Sequence, residues 1–208
     1  MSFDPEYGET LVAEEDLESL TEQARAVVGD PVRKADVYDL EQAIWAQVAA
    51  DRLTAVLDGS LTAEEILTDH FVRQLHTDLY VRIWTWAGRH RRLETNVGVA
   101  PEQIAVRLRT DVDDLRWRWL HTADLTPRVL GVTFHAIVVH IHPFIDGNGR
   151  TTRLLADLAF AATQEGEELL EYDWNVDRSE YIRLLGHFDL TRDTQPLVDL
   201  VGVRPVSD

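Results

Sequence analysis

The chain has 208 residues, with 20 basic against 37 acidic side chains and a formal net charge of -17, which is room for one sizeable core. So negative a field disfavours a protein that works by gripping DNA or RNA phosphates, because that affinity comes from clustered lysine and arginine, and no direct nucleic-acid binding is expected. The lack of cysteine removes disulfides, thiolate metal sites and thiol nucleophiles and fits a cytoplasmic protein, while no apolar run approaches the roughly 20 residues of a membrane span.

Residues 1–33 form an acidic N-terminal extension, and the opening residues lack the basic and then apolar pattern of a signal peptide. Within 13–28, Leu17, Leu20, Ala24 and Val27 predict a surface helix, punctuated by Gly29, Asp30 and Pro31. The main domain is 34–208. From Lys34 to Leu57, Val37, Leu40, Ile44, Val48 and Leu57 recur at helical spacing with Trp45 and Ala49, predicting one long amphipathic helix that ends near Gly59. Thr62 followed by Glu65 has the form of a capping box, and Ile66, Phe71, Leu75 and Leu79 continue a second helix that runs into Trp84 and Trp86.

Between Gly88 and Pro101 the pattern turns short and partly alternating, which predicts a loop or small hairpin. Helical spacing resumes at Ile104, Leu108, Val112 and Leu115 and again over 127–138, where Pro127 suits a first turn. Leu154, Leu155, Leu158 and Ala159 mark a buried helix, and 180–188 and 196–201 two short ones. The fold class is all-α with one small β excursion.

Chemistry concentrates in His142-Pro143-Phe144-Ile145-Asp146-Gly147-Asn148-Gly149-Arg150-Thr151-Thr152-Arg153. Glycines flanking Asn148 just before a helix let backbone N–H groups converge at a positive helix end, an anion cradle. Arg150 and Arg153 are three apart on that helix, so both reach toward one side, where bidentate contacts to phosphate are available. Asp146 is a hard oxygen ligand suited to a Mg²⁺ riding on the phosphates. Other motifs fail on spacing: a Walker A loop needs Gly-Lys-Ser/Thr, an EF-hand needs glycine where Thr151 sits, and His135 and His140, five apart, diverge by about 140° around a helix.

The segment resembles the motif of Fic-domain proteins, which transfer AMP from ATP to target hydroxyls, and it matches His-Pro-Phe-x-Asp-Gly-Asn-Gly-Arg-x-x-Arg at all nine specified positions in twelve residues. The likeness extends to Trp84-Thr85-Trp86-Ala87-Gly88-Arg89, to Asn96-Val97-Gly98-Val99, to the helix ending in His140 and to Glu180-Tyr181-Ile182, and looks most like the subgroup labelled mobile mystery protein B. It implies the Fic fold, a helical bundle with a β-hairpin flap over the site.

The resemblance further implies that His142 takes the proton of a target Ser, Thr or Tyr hydroxyl as its oxygen attacks the α-phosphorus, a task suited to imidazole. Asp146 would hold Mg²⁺; Gly147, Asn148 and Gly149 would stabilise the charged oxygens, Asn148 donating from its side-chain amide as well; Arg150 and Arg153 would orient the outer phosphates of ATP. Phe144 should face the core, and Tyr181 would line the adenine pocket. Trp84 and Trp86 read as core aromatics.

Many relatives of this kind carry an inhibitory helix whose glutamate pairs with the second motif arginine. Here 37–42, Val-Tyr-Asp-Leu-Glu-Gln, keeps the glutamate as Glu41 but lacks the hydroxyl residue and the final Gly or Asn. Within the helix Lys34–Leu57, Glu41 is then either an inhibitor facing Arg153 or an ordinary solvated residue. The expected function is ATP-dependent AMP transfer to a protein target, self-modification included, held back by Glu41 or by a separate regulatory partner. Removal of AMP from a modified protein, or a non-catalytic toxin-like module held by a partner, are the alternatives.

Overall fold

The computed structural model describes residues 14–166 and 168–206, so the expectation for the acidic opening up to residue 13 lies outside the described residues. The helices are α1 Glu14–Ser19, α2 Glu22–Val28, α3 Lys34–Leu57, α4 Ala63–Ile66, α5 Asp69–Tyr80, α6 Ile104–His121, α7 Pro127–Ile141, α8 Asn148–Ala161, α9 Arg178–Thr191 and α10 Gln195–Leu200. Strands β1 Leu170–Asp173 and β2 Gly202–Pro205 pair antiparallel, Leu170 opposite Pro205 and Asp173 opposite Gly202. The all-α reading with a small β element holds.

Local chemistry sets the helix ends. The Thr62 hydroxyl accepts the Glu65 N–H, and the Glu65 carboxylate accepts the Thr62 N–H at 2.9 Å, the expected capping box. That helix stops at Ile66, and the Thr68 hydroxyl opens α5 by accepting the Phe71 N–H at 3.1 Å. The single helix expected here is therefore two, and Trp84 and Trp86 lie in the turn beyond Tyr80. Thr126 caps α7, with Pro127 in its first turn.

The packed pair α7 and α8 is the centre of the molecule. Leu130, Phe134, Val138 and Ile141 of α7 enter one core with Leu75 and Leu79 of α5 and Leu108 and Val112 of α6, while Val132 and Ala136 enter a second with Phe160, Tyr172, Leu184 and Leu197. Both faces of α7 are covered, which accounts for its nearly unbroken apolar sequence. The 24-residue α3 packs against α5 and α8 and buries Val37, Glu41 and Val56.

Two expectations are corrected. The surface helix over 13–28 is broken at Leu20, where backbone groups bridge to the turn after α5: Thr21 N–H donates to Ile83 O and Thr85 N–H to Ser19 O, each at 2.9 Å. Leu20, Ala24 and Val28 are buried in the first core, so α2 belongs to the packed body. The flap segment 89–100 holds no strand. Its backbone is committed elsewhere: Arg91 N–H donates to Pro143 O at 2.9 Å, Val99 N–H to Ile141 O at 3.3 Å, and the Arg91 guanidinium binds the carbonyls of Leu93 and Val99. Groups that would form a hairpin ladder instead tie the segment to the loop after α7.

Candidate active site

The chain leaves α7 through His142, whose left-handed backbone (φ 52°, ψ 62°) still donates its N–H to Val138 O at 3.0 Å. Phe144 faces the core as expected and is fully buried, while Ile145 and Asp146 are exposed. Asn148 closes the loop: its carboxamide oxygen accepts the Phe144 N–H at 3.0 Å and its nitrogen donates to Phe144 O at 2.8 Å. Only 4 % exposed, that carboxamide is committed to the loop and not offered to phosphate, which corrects the sequence expectation. The contribution left to Asn148 is its backbone N–H.

Gly147 has φ 74°, and a Cβ there would fall 2.5 Å from the Tyr80 ring, so no other residue fits. No side chain caps α8, so its first N–H groups have no side-chain partner there and suit an anion. At Gly149 an added Cβ would meet nothing within 4 Å, so the approach to those amides stays open.

The His142 imidazole is half-buried. Burial is the main cause holding its pKa below the usual value, with the Arg91 charge acting in the same direction; a hydrogen bond to the Val139 backbone and the Asp146 carboxylate pull the other way. The ring is therefore neutral at neutral pH, as a base requires. Arg91, missed by sequence reasoning and only 4 % exposed, donates from Nε to the His142 carbonyl at 2.7 Å. Gly98, at φ 92°, passes so close that a Cβ would lie 2.5 Å from His142 Cβ. The tie between Arg91 and the backbone of 99 and 142–143 locks the covering segment onto the base.

The two motif arginines diverge. Arg150 turns toward α3 and α5, where Nη1 lies 2.6 Å from Glu41 Oε2 and its guanidinium sits 5.4 Å from the centre of the Tyr80 ring. Arg153 turns toward β1 and α9, with its guanidinium 5.4 Å from the Tyr181 ring and 5.7 Å from that of Trp174. Three residues on a helix are separated by about 60° around the axis, and side chains this long follow whichever partners lie on either flank. Glu41 thus pairs with Arg150 and not with Arg153 as expected. It is not a solvated helical residue either: it is 7 % exposed, and its Oε1 accepts the Trp84 indole N–H at 2.7 Å. Trp84 stacks on Trp86 at 5.4 Å, in agreement with the core reading.

Tyr181 is 8 % exposed, its hydroxyl 2.8 Å from His135 Nε2. It meets the site as the support beneath Arg153 and not as an open wall for adenine.

Asp146 Oδ1 accepts the Gly147 N–H at 2.6 Å, which leaves the second oxygen of an exposed carboxylate for a cation. Among the described residues no group of three or more His, Asp or Glu converges as a metal cage. A lone carboxylate beside a phosphate cradle fits Mg²⁺, which is commonly held by one or two carboxylates plus substrate phosphates.

His76 was also missed. It is fully buried, and its Nδ1 accepts the Gly88 N–H at 2.9 Å while Nε2 lies 3.1 Å from the Asp146 carbonyl. Burial pushes its pKa down to about 4. The available signal was its place on the apolar face of α5 with Val72, Leu75 and Leu79.

Residues 66–160 match the Fic/DOC family. The chain is similar to a protein adenylyltransferase Fic of Nematostella vectensis, 31 % identical over 111 residues, which are 50 % of this chain and 25 % of that protein. It is also similar to the protein adenylyltransferase fic-1 of Caenorhabditis elegans, 34 % identical over 123 residues, 56 % of this chain and 22 % of that protein. The chain thus spans a quarter or less of the length of these curated relatives. In fold it resembles the BepC protein of Bartonella tribocorum, solved with bound AMPPNP, at a TM-score of 0.60 and 14 % identity over 84 % of this chain and 89 % of that one. Residues 66–160 constitute a Fic/DOC family domain.

Proposed function

We propose that the protein transfers AMP from ATP to a Ser, Thr or Tyr hydroxyl of a protein target, itself included, and releases pyrophosphate. One observation carries the reading: the half-buried His142, the exposed Asp146 and the uncapped N-terminus of α8 all lie within one short loop. The names of both curated relatives support the same chemistry. The target hydroxyl gives its proton to His142 as its oxygen bonds to the α-phosphorus, and the bond to the bridging oxygen of pyrophosphate breaks. His142 engages the Val139 backbone with one ring nitrogen, and the other is the acceptor. The amides of Gly147, Asn148 and Gly149 receive phosphate oxygens, and Arg150 and Arg153 approach the phosphates from opposite flanks. Mg²⁺ held by Asp146 would neutralise charge on the bridging phosphates. Self-restraint by Glu41, action on a cytoplasmic target, a separate regulatory partner and kinship with the mobile mystery protein B subgroup belong to the same proposal.

The test is incubation with Mg²⁺ and α-labelled ATP, with γ-labelled ATP in parallel. Label from the α-position alone, on the protein or on a lysate target, is the expected result. Transfer of the γ-label instead overturns the reading.

A further inference from the structure

We propose that His76 is a positioning residue for Asp146, fixing the peptide that aims its carboxylate. The role rests on the AMP-transfer reading only for the use to which Asp146 is put. Because Nδ1 accepts the Gly88 N–H at 2.9 Å, the neutral ring carries its proton on Nε2, which donates to the Asp146 carbonyl at 3.1 Å. The ring is stacked on Phe144 at 3.6 Å between centroids and 16° between planes, so it has no freedom to swing away. One side chain thereby joins α5, the turn at Gly88 and the motif loop.

The consequence lies in a single peptide plane. The Asp146 carbonyl and the Gly147 N–H belong to one rigid unit. His76 holds the carbonyl end, and the N–H end donates to Asp146 Oδ1 at 2.6 Å. With the plane fixed at both ends, one carboxylate oxygen is tied and the other is directed outward beside the first amides of α8. Without the Nε2 donor the plane is free to rotate, and the carboxylate rotates with it.

Two conservative substitutions separate the two hydrogen bonds. His76→Gln places a donor near the Nε2 position, His76→Asn places an acceptor near the Nδ1 position, and His76→Phe keeps the stacked ring without either. Mn²⁺ is titrated by electron paramagnetic resonance with saturating AMPPNP, and AMPPNP affinity is measured separately in a chelator by calorimetry. Outer partners of metal ligands are worth about 10–100-fold in metal affinity, so H76N and H76F should weaken Mn²⁺ binding about tenfold or more. H76Q should stay within about threefold of wild type, and metal-free affinity should be unchanged throughout. Equal loss in H76Q and H76N, or an equal loss without metal, overturns the proposal. If H76N and H76F do not fold, amide exchange in the wild type decides: a Gly147 N–H protected like core amides supports the fixed plane, and fast exchange there overturns it. A Glu41→Gln protein that binds Mn²⁺ with AMPPNP yet transfers no α-label defeats the AMP-transfer reading alone. Intact transfer with equal loss in H76Q and H76N defeats the role of His76 alone.

Discussion

Glu41 holds Arg150 through Oε2 at 2.6 Å while its Oε1 accepts the Trp84 indole N–H at 2.7 Å, so a single buried carboxylate is fixed at both oxygens. A phosphate seeking Arg150 must displace it. Glu41→Gln removes the charge but keeps an acceptor for Trp84, whereas Glu41→Gly leaves a buried donor unsatisfied and costs about 1 kcal/mol more in the helix. Glu41→Gln is therefore expected to raise label transfer from α-labelled ATP by about tenfold, the equivalent of about 1.4 kcal/mol of lost competition, and Glu41→Gln with His142→Ala to stay silent. Equal activity of wild type and Glu41→Gln, with matching circular dichroism, would show that the pair is structural.

The same pair sets a coupling. In the wild type Arg150 is already engaged, so removing it withdraws a phosphate contact that Glu41 had weakened. In the Glu41→Gln background the guanidinium is free for the nucleotide, and Arg150→Ala should then cost about 1 kcal/mol more in ATP affinity. Calorimetric titration of the four proteins closes the cycle. Additive effects would mean that Glu41 and the nucleotide do not share Arg150.

A base must be neutral to act, and burial with the Arg91 charge holds His142 below the ordinary histidine value. Lowering pH through that depressed pKa protonates the ring and ends transfer, so the acid limb of kcat/KM should lie below about pH 6.5. Arg91→Met removes a positive neighbour and should move the limb upward, and Arg91→Lys should move it less. His142→Ala should abolish transfer with Mg-ATP affinity kept. A limb that stays fixed in a folded Arg91→Met protein would assign the titration to another group.

Gly98 crosses above the base at φ 92°, and a Cβ would lie 2.5 Å from His142 Cβ and 2.9 Å from Ile141 O. Gly98→Ala adds a methyl group into that contact and a left-handed strain of about 1–2 kcal/mol. Since the segment covers the base and the cradle lies beyond it, transfer should fall about tenfold or more while ATP affinity stays within about twofold. A parallel fall in both would place Gly98 in nucleotide binding.

What could be read from the sequence was local. The span of α3, the Thr62–Glu65 box and the motif loop depend on residues a few positions apart, where period and hydrogen bonding are visible in order. His76 and Arg91 act through backbone carbonyls 70 and 51 residues away, and a carbonyl has no letter in the sequence. The same reason hides the missing hairpin, whose N–H and carbonyl groups are engaged by the motif loop and a guanidinium. For Arg150 and Arg153 the helical angle was right and the side-chain direction was not, because Glu41 and Tyr181 arrive from α3 and α9. A solvated Glu41 stayed open as one of two readings because its cover, Trp84, lies 43 residues further on.

Asp157 gives the last prediction, in stability. Burial raises its carboxyl pKa to about 7, against a hydrogen bond from Trp174 Nε1 at 3.0 Å. An unfolded aspartate titrates near 3.9, so between about pH 4 and 7 the native state holds a proton that the unfolded state has lost. Stability from this group therefore falls as pH rises. His76 and His135 have the opposite sign: burial lowers them to about 4 and about 3, the unfolded chain takes up their protons first, and their contribution is lost as pH falls below about 6.5. Each histidine contributes roughly 2 kcal/mol of change between pH 5 and 7, and Asp157 offsets one of them. Asp157→Asn keeps an acceptor for the indole and removes the offset. Urea melts should show a shallow rise in wild-type stability from pH 5 to 7 and a steeper one in the variant, with the difference between the two shifting by roughly 2 kcal/mol toward the variant by pH 8. Parallel curves would mean that Asp157 is ionised throughout and that its burial is relieved by a charge or donor other than Trp174.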